Sequence, residues 1–108
     1  MDRCWLAALF LLLPVPALGA APPAAADKRL VVELVAREPD VVTPTGLAVD
    51  ERGRVWVIEN HTHERPAGYK GPESDRVRVF SDPGPAGRMR KARTFADGFR
   101  NAMSLALG

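Results

Sequence analysis

The stretch 59–76, ENHTHERPAGYKGPESDR, holds both histidines of the chain and its one tyrosine. If the chain runs extended there, His61 and His63 fall on the same side about 6 to 7 Å apart. That separation suits joint ligation of one metal ion, with Glu59 or Glu64 as an oxygen donor. Alternatively, one imidazole could act as a general base, since imidazole exchanges its proton in the neutral range. The plainer reading is that the histidines and Asn60 hydrogen-bond the backbone of a long ordered loop. Glu59, Asn60, His61, His63 and Tyr69 therefore define a possible loop site, with no catalytic, metal or cofactor role assigned to any of them. Trp56 and Tyr69 could form a stacking platform for a sugar ring, although Trp56 lies in an apolar run that fits a core better.

Elsewhere the chemistry is thinner. The loop 81–89, SDPGPAGRM, has Asp82 as its one carboxylate, whereas calcium takes several oxygen ligands, charged ones among them, so the loop reads as a turn. Arg88, Arg90, Lys91 and Arg93 form a basic run without interleaved stacking aromatics, the pattern of a solvated rim. Lys and Arg number 15 against 13 Asp and Glu, a net charge of +2. These charges are interspersed, which argues against a nucleic-acid partner. Cys4 is the single cysteine. Neither a disulfide framework nor a CxxCH haem attachment can be built from it.

The elements that must position these residues begin after an export signal. Asp2 and Arg3 precede an apolar core, CWLAALFLLL, followed by PVPALGA and APPAAA. A spanning helix needs about 20 consecutive apolar residues, and Pro14 and Pro16 interrupt this run. Residues 1–26 are expected to be a signal peptide cleaved between about 19 and 26. An exported, periplasmic or extracellular product follows, touching a membrane only through an uncleaved signal. Residues 27–108 form one domain of roughly 80 residues, near the lower limit for a self-sufficient core.

From Lys28 the chain reads as short strands. The run 30–36, LVVELVA, alternates as a strand. Residues 47–49 and 55–59 flank the turn DERG as a hairpin, Asp50 and Gly53 permitting the reversal. In VWVIE both faces are apolar, so this strand must be covered twice. In 75–80, DRVRVF, Arg76 and Arg78 alternate with Val77 and Val79, which predicts one face near solvent. Burial declining outward from doubly covered strands is the gradient of a propeller blade. A faint echo of Leu47-Ala48-Val49 in Leu105-Ala106-Leu107 suggests the start of a second blade, the loop 60–74 absorbing spacing beyond the usual repeat of about 40 to 50 residues. The fold expected is all-β: a first blade, plus the start of a second, of an incomplete propeller.

The stretches PTGLAVDERGRVWVIENHTHERPAGYKGPESDRVRVF and TFADGFRNAMSLALG resemble the amino-terminal blade of the membrane-bound dehydrogenases of Planctomycetes, over residues 28–108. The resemblance implies a six-bladed propeller similar to soluble quinoprotein glucose dehydrogenase, usually with a carboxy-terminal CxxCH haem domain. It implies an oxidoreductase acting on sugars or alcohols, with haem c or a quinone in the full-length form and the remaining blades as partners. The ENHTH-x-RP-x-GYKGP string is its most specific part. The pattern G-x-A-x-D-x-x-G-x-x-W also fits NHL-type propellers. Where relatives carry a D-x-D-G-D-G loop, only Asp82 remains here. No catalytic residue of the glucose dehydrogenases finds a matching motif, and no cofactor is identifiable in this chain. Two expectations stand: an amino-terminal fragment of an exported propeller dehydrogenase, itself inactive, or an NHL-like module that binds protein or glycan without catalysis.

Overall fold

The computed structural model describes residues 23–108. The expected signal peptide lies almost wholly outside them. The described part is all-β: β1 (Pro44–Val49), β2 (Val55–Glu59), β3 (Asp75–Pro83) and β4 (Met89–Phe99) form one antiparallel sheet in sequential order. Such a four-stranded meander is the unit from which propeller blades are made. No α-helix occurs among the described residues.

The β1–β2 hairpin forms as its turn chemistry dictates. Asp50 accepts from the Gly53 backbone at 2.9 Å and donates its own amide to Arg54 at 3.1 Å. Gly53 has φ +73°, a left-handed value that glycine adopts without strain. The Asp50 side chain accepts from the Arg52 and Arg54 amides, the Arg54 guanidinium and the Trp56 indole. The indole and arginine bonds outweigh partial desolvation and hold its carboxyl well below the usual range.

Register decides which residues share a face, since directly opposed residues point the same way. Val55 lies opposite Phe80, Val57 opposite Arg78 and Glu59 opposite Arg76, while Trp56 faces Val79 and Ile58 faces Val77. Val57 and Phe80 are buried on one side, Ile58 and Val79 on the other. The doubly covered β2 read from VWVIE is thus present. On the Val57 side, residues 33–43 run close by: the Asp40 carbonyl accepts from Arg78 at 3.4 Å and the Val35 carbonyl from the Met89 amide at 3.0 Å. On the Ile58 side Trp56 packs edge-to-face on Phe95, with centroids 4.8 Å apart.

Several expectations are corrected. The run 30–36 is no strand; beyond the single bond from the Met89 amide to Val35 it joins no ladder, and Leu30, Val31, Val32 and Leu34 are exposed. Alternation supplies a strand's side-chain pattern but not the partner that a ladder requires. The arginine face of β3 is not a solvent face: Arg76 and Arg78 are half-buried, because β2 and the segment around Asp40 supply acceptors for them. The basic run enters the sheet as β4, a mostly exposed outer strand. Burial does fall outward to β4, but it falls on the other side too, with Leu47 67% and Val49 60% exposed on β1. The echo at 104–108 takes no strand conformation.

A close approach ties the last described residues to the sheet. A Cβ at Gly46 would lie 3.0 Å from Ser104 Cα and 3.1 Å from the Met103 carbonyl oxygen. Both obstacles are backbone and cannot rotate away. Gly46→Ala should therefore destabilise the full chain by about 1–3 kcal/mol in denaturant titration. Gly53→Ala, where only the positive φ is penalised, should cost about 1 kcal/mol.

Candidate functional site

The site grows from two carboxylates at the same end of the sheet. Glu59 ends β2, Asp75 begins β3, and both have 0% exposure. A buried carboxylate without partners costs several kcal/mol, so the surrounding chain must bring donors to each.

Asp75 organises the loop. One oxygen accepts from the amides of His61 at 2.6 Å and Thr62 at 2.9 Å. The other accepts from the Thr62 hydroxyl at 3.0 Å and the Ala102 amide at 2.8 Å. The Thr62 hydroxyl oxygen in turn accepts from the Asn101 amide at 2.8 Å. One side chain thereby joins the start of the 60–74 loop to the segment 101–102. Burial opposes its ionisation, but these four donors outweigh the penalty and hold the Asp75 carboxyl below its ordinary value.

Asn60 works from the opposite face of the strand end. Its carbonyl oxygen accepts from the Thr62 amide at 3.2 Å and the His63 amide at 3.0 Å. Its amide nitrogen donates to the Ala102 carbonyl at 3.1 Å. This Asx-type turn bends the chain directly after β2. The extended conformation on which joint metal ligation by His61 and His63 depends is therefore not adopted. His61 is buried and His63 exposed.

Glu59 anchors a polar chain. Arg76 Nε donates to Glu59 Oε2, His61 Nε2 lies 3.1 Å from the same oxygen, and the Val42 amide donates to Oε1 at 3.2 Å. Burial pushes the Glu59 carboxyl up, and the Arg76, His61 and Val42 bonds more than offset it, so the group lies below its ordinary value. With Glu59 ionised, His61 donates from Nε2 and offers Nδ1 as an acceptor. The partner at Nδ1 is the Tyr69 hydroxyl. Four side chains thus run in order from Arg76 through Glu59 and His61 to Tyr69.

Tyr69 is held at the end of this chain by its loop. Its amide closes a turn to the Pro66 carbonyl at 3.0 Å. The Arg65 guanidinium lies 4.8 Å from the ring centroid and donates to the carbonyls of His61 and Pro72. Beside the ring opens a cleft of about 250 Å³, lined by Thr43, Thr45, Asn60, His63, Glu64, Pro66, Tyr69 and Met103.

Of the residues singled out from sequence, Glu59, His61 and Tyr69 meet in one hydrogen-bonded chain, while Asn60, His63 and Tyr69 border the cleft. Trp56 is tied to Asp50 and Phe95 and stands apart from Tyr69's contacts. Sequence reasoning missed Asp75, Arg76 as a partner of Glu59, and the contribution of 101–103. A carboxylate opening an alternating strand, with no adjacent turn to cap, was the available signal for Asp75. Asp82, expected in a turn, lies near the end of β3 and pairs with Arg90 at 2.9 Å and Lys91 at 3.9 Å.

A family model described as a domain of unknown function, DUF7133, matches residues 24–107. The chain belongs to the DUF7133 family. No curated protein and no solved structure matches it. The DUF7133 match takes in all four strands, the 60–74 loop and the segment 101–103, so the whole site falls within the family's bounds.

Both buried carboxyls of this DUF7133 chain have folded values below their ordinary 3.8 (Asp75) and 4.5 (Glu59). Their contribution to stability is complete above those ordinary values and is lost as pH falls through the lower folded ones. The full chain should therefore lose thermal stability progressively below about pH 4.5. Asp75→Asn, which removes ionic acceptors at a fully buried position, should lower stability by about 2–4 kcal/mol at pH 7 and flatten the acid limb of the Tm profile.

Proposed function

We propose that this chain forms a blade of an exported, dehydrogenase-like β-propeller, and that its 60–74 loop belongs to the ligand-facing surface. The observation that carries the reading is the Arg76–Glu59–His61–Tyr69 chain, buried at Glu59 and His61, which ends at a residue lining a cleft at one end of the sheet. Loops at strand ends are where a rigid β scaffold presents binding and catalytic groups. The export signal read from residues 1–26 and the ENHTH-x-RP-x-GYKGP string support the same reading. So does the sequential meander, whose exposed β1 face and uncovered 30–36 run suit contact with neighbouring blades.

Neither redox group of such enzymes fits the cleft. A covalent haem requires a CxxCH segment, and the one cysteine is Cys4. An anionic quinone calls for cationic contacts, whereas the lining residues include no Arg or Lys and one carboxylate, Glu64. In this reading the electron carrier is held by residues outside this sequence, and the blade contributes ligand contacts rather than redox chemistry.

A lining that mixes apolar surface from Pro66 and Met103 with the polar groups of Thr43, Asn60, His63 and Glu64 also favours a second reading, an NHL-like module that binds glycan or protein without reaction. Intact mass, haem absorbance and sugar- or alcohol-dependent reduction of an artificial electron-acceptor dye by the native secreted product separate the two. A mass several times that of the 108-residue chain, with a haem spectrum and dye reduction, is the expected outcome. Glycan binding by a product with neither haem absorbance nor dye reduction would establish the binding module instead.

A further inference from the structure

Tyr69 is half-buried and lines the cleft, but its hydroxyl meets residues that do not line it. The hydroxyl is bonded to the ring of His61, which is 2% exposed, and an added Cβ at Gly71 would overlap the same end of the phenol. Beyond His61 stands the fully buried Glu59, with His61 Nε2 3.1 Å from its Oε2. A base is thus held against the phenol proton, and a carboxylate is held against the far side of that base. The Arg65 guanidinium lies 4.8 Å from the phenol ring centroid. Tyr69 is the one tyrosine of the chain.

A phenol that gives up one electron becomes a strong acid, so its oxidation depends on where the proton can go. A radical cation is disfavoured here, because Arg65 already places a positive charge beside the ring. Transfer of the proton to a base in hydrogen-bond contact removes the new charge from the ring, and a positioned base accelerates such a transfer. His61 Nδ1 is that base. The charge it gains lies against the Glu59 carboxylate, which Arg76 Nε and the Val42 amide hold in place. Burial of His61 keeps the proton within the pair, so it returns to the phenol oxygen when Tyr69 is reduced again.

We propose that Tyr69 is a reversible, proton-coupled one-electron donor, with His61 as its proton acceptor, Glu59 and Gly71 as positioning residues, and an outer-sphere one-electron oxidant as its substrate class. One electron passes from the phenol to the oxidant, which is reduced by one unit. The Tyr69 O–H bond breaks and an N–H bond forms at His61 Nδ1. The products are a neutral phenoxyl radical and an imidazolium. This assignment goes beyond the ligand-facing reading of the loop and does not rest on it, since the electron is the side chain's own and no bound carrier is required.

The test uses the full chain with flash-generated ruthenium(III) tris-bipyridine as the oxidant, and follows radicals by transient absorption and electron paramagnetic resonance. A tyrosyl signal can arise only from Tyr69. Expected are a neutral tyrosyl radical, a rate of formation that is independent of buffer concentration, and slower formation in deuterium oxide. Gly71→Ala displaces the phenol from His61 and touches none of the partners of Glu59. It should slow radical formation at least about tenfold and make the remaining rate rise with buffer base. A thermal transition equal to that of the parent chain shows that this variant is folded. A tyrosine that merely fastens the loop shows neither the isotope effect nor the insensitivity to buffer, so measurements on the parent chain decide the assignment even where the variant fails to fold. Absence of a tyrosyl radical, a parent rate that rises with buffer base, no solvent isotope effect, or an unchanged rate in folded Gly71→Ala protein would overturn it.

Discussion

Two carboxylates with no exposure, Glu59 and Asp75, set the terms for one end of this sheet. Neither can remain ionised there without several donors, and the strand ladder provides none for their side chains. The donors come from segments distant in sequence: Val42 before β1, His61 and Thr62 after β2, Arg76 in β3, and Ala102 beyond β4. Satisfying the two acids and folding the loop are the same event. A loop of this length would otherwise be free to vary. Here its first residues are fixed by Asp75 and Asn60, and its middle is fixed by Arg65 and the turn at Pro66.

The sheet makes this arrangement possible by burying β2 from both sides. Val57 and Phe80 on one face, with Ile58 and Val79 on the other, exclude water from the strand that leads directly to Glu59. Lower local polarity strengthens each hydrogen bond formed there and raises the penalty for any left unmade. The same logic marks an exception. Arg78 Nε is buried without a hydrogen-bond partner, while its terminal nitrogens reach Thr94 and the Asp40 carbonyl. Arg76, two residues earlier on the same face of β3, uses the complementary part of its guanidinium: its Nε donates to Glu59.

Chemistry at the site follows from polarity that runs in one direction. Arg76 and Val42 hold Glu59 as a carboxylate, Glu59 selects the donor nitrogen of His61, and His61 selects the direction of the Tyr69 hydroxyl. Tyr69 lines the cleft, and Arg76 at the other end is half-buried. Glu59 is the fully buried member and Tyr69 the one that lines the cleft, so removing the Tyr69 hydroxyl leaves the other donors of the buried acid in place.

The sequence by itself determined the strand content of the central elements, because period-two alternation and the DERG turn are local properties encoded within a few residues. VWVIE announced a doubly covered strand by having no polar face, and ENHTHERPAGYKGP announced the loop that carries the polar groups. What lay beyond its reach was every pairing except the β1–β2 hairpin, whose turn is local. Alternation made 30–36 look like a strand, yet a strand exists only with a partner, and none joins it in this sheet. Basic residues made 88–93 look like a rim, and β4 is indeed exposed, but only its ladder with β3 makes it a strand. His61 and His63, equivalent in an extended chain, became a buried relay residue and an exposed cleft residue once Asn60 bent the backbone between them. That bend depends on Ala102 and Asp75, which no local pattern connects to the histidines. Tertiary structure alone decided it, because a buried charge is satisfied by whichever donors the fold brings near, irrespective of their distance along the chain.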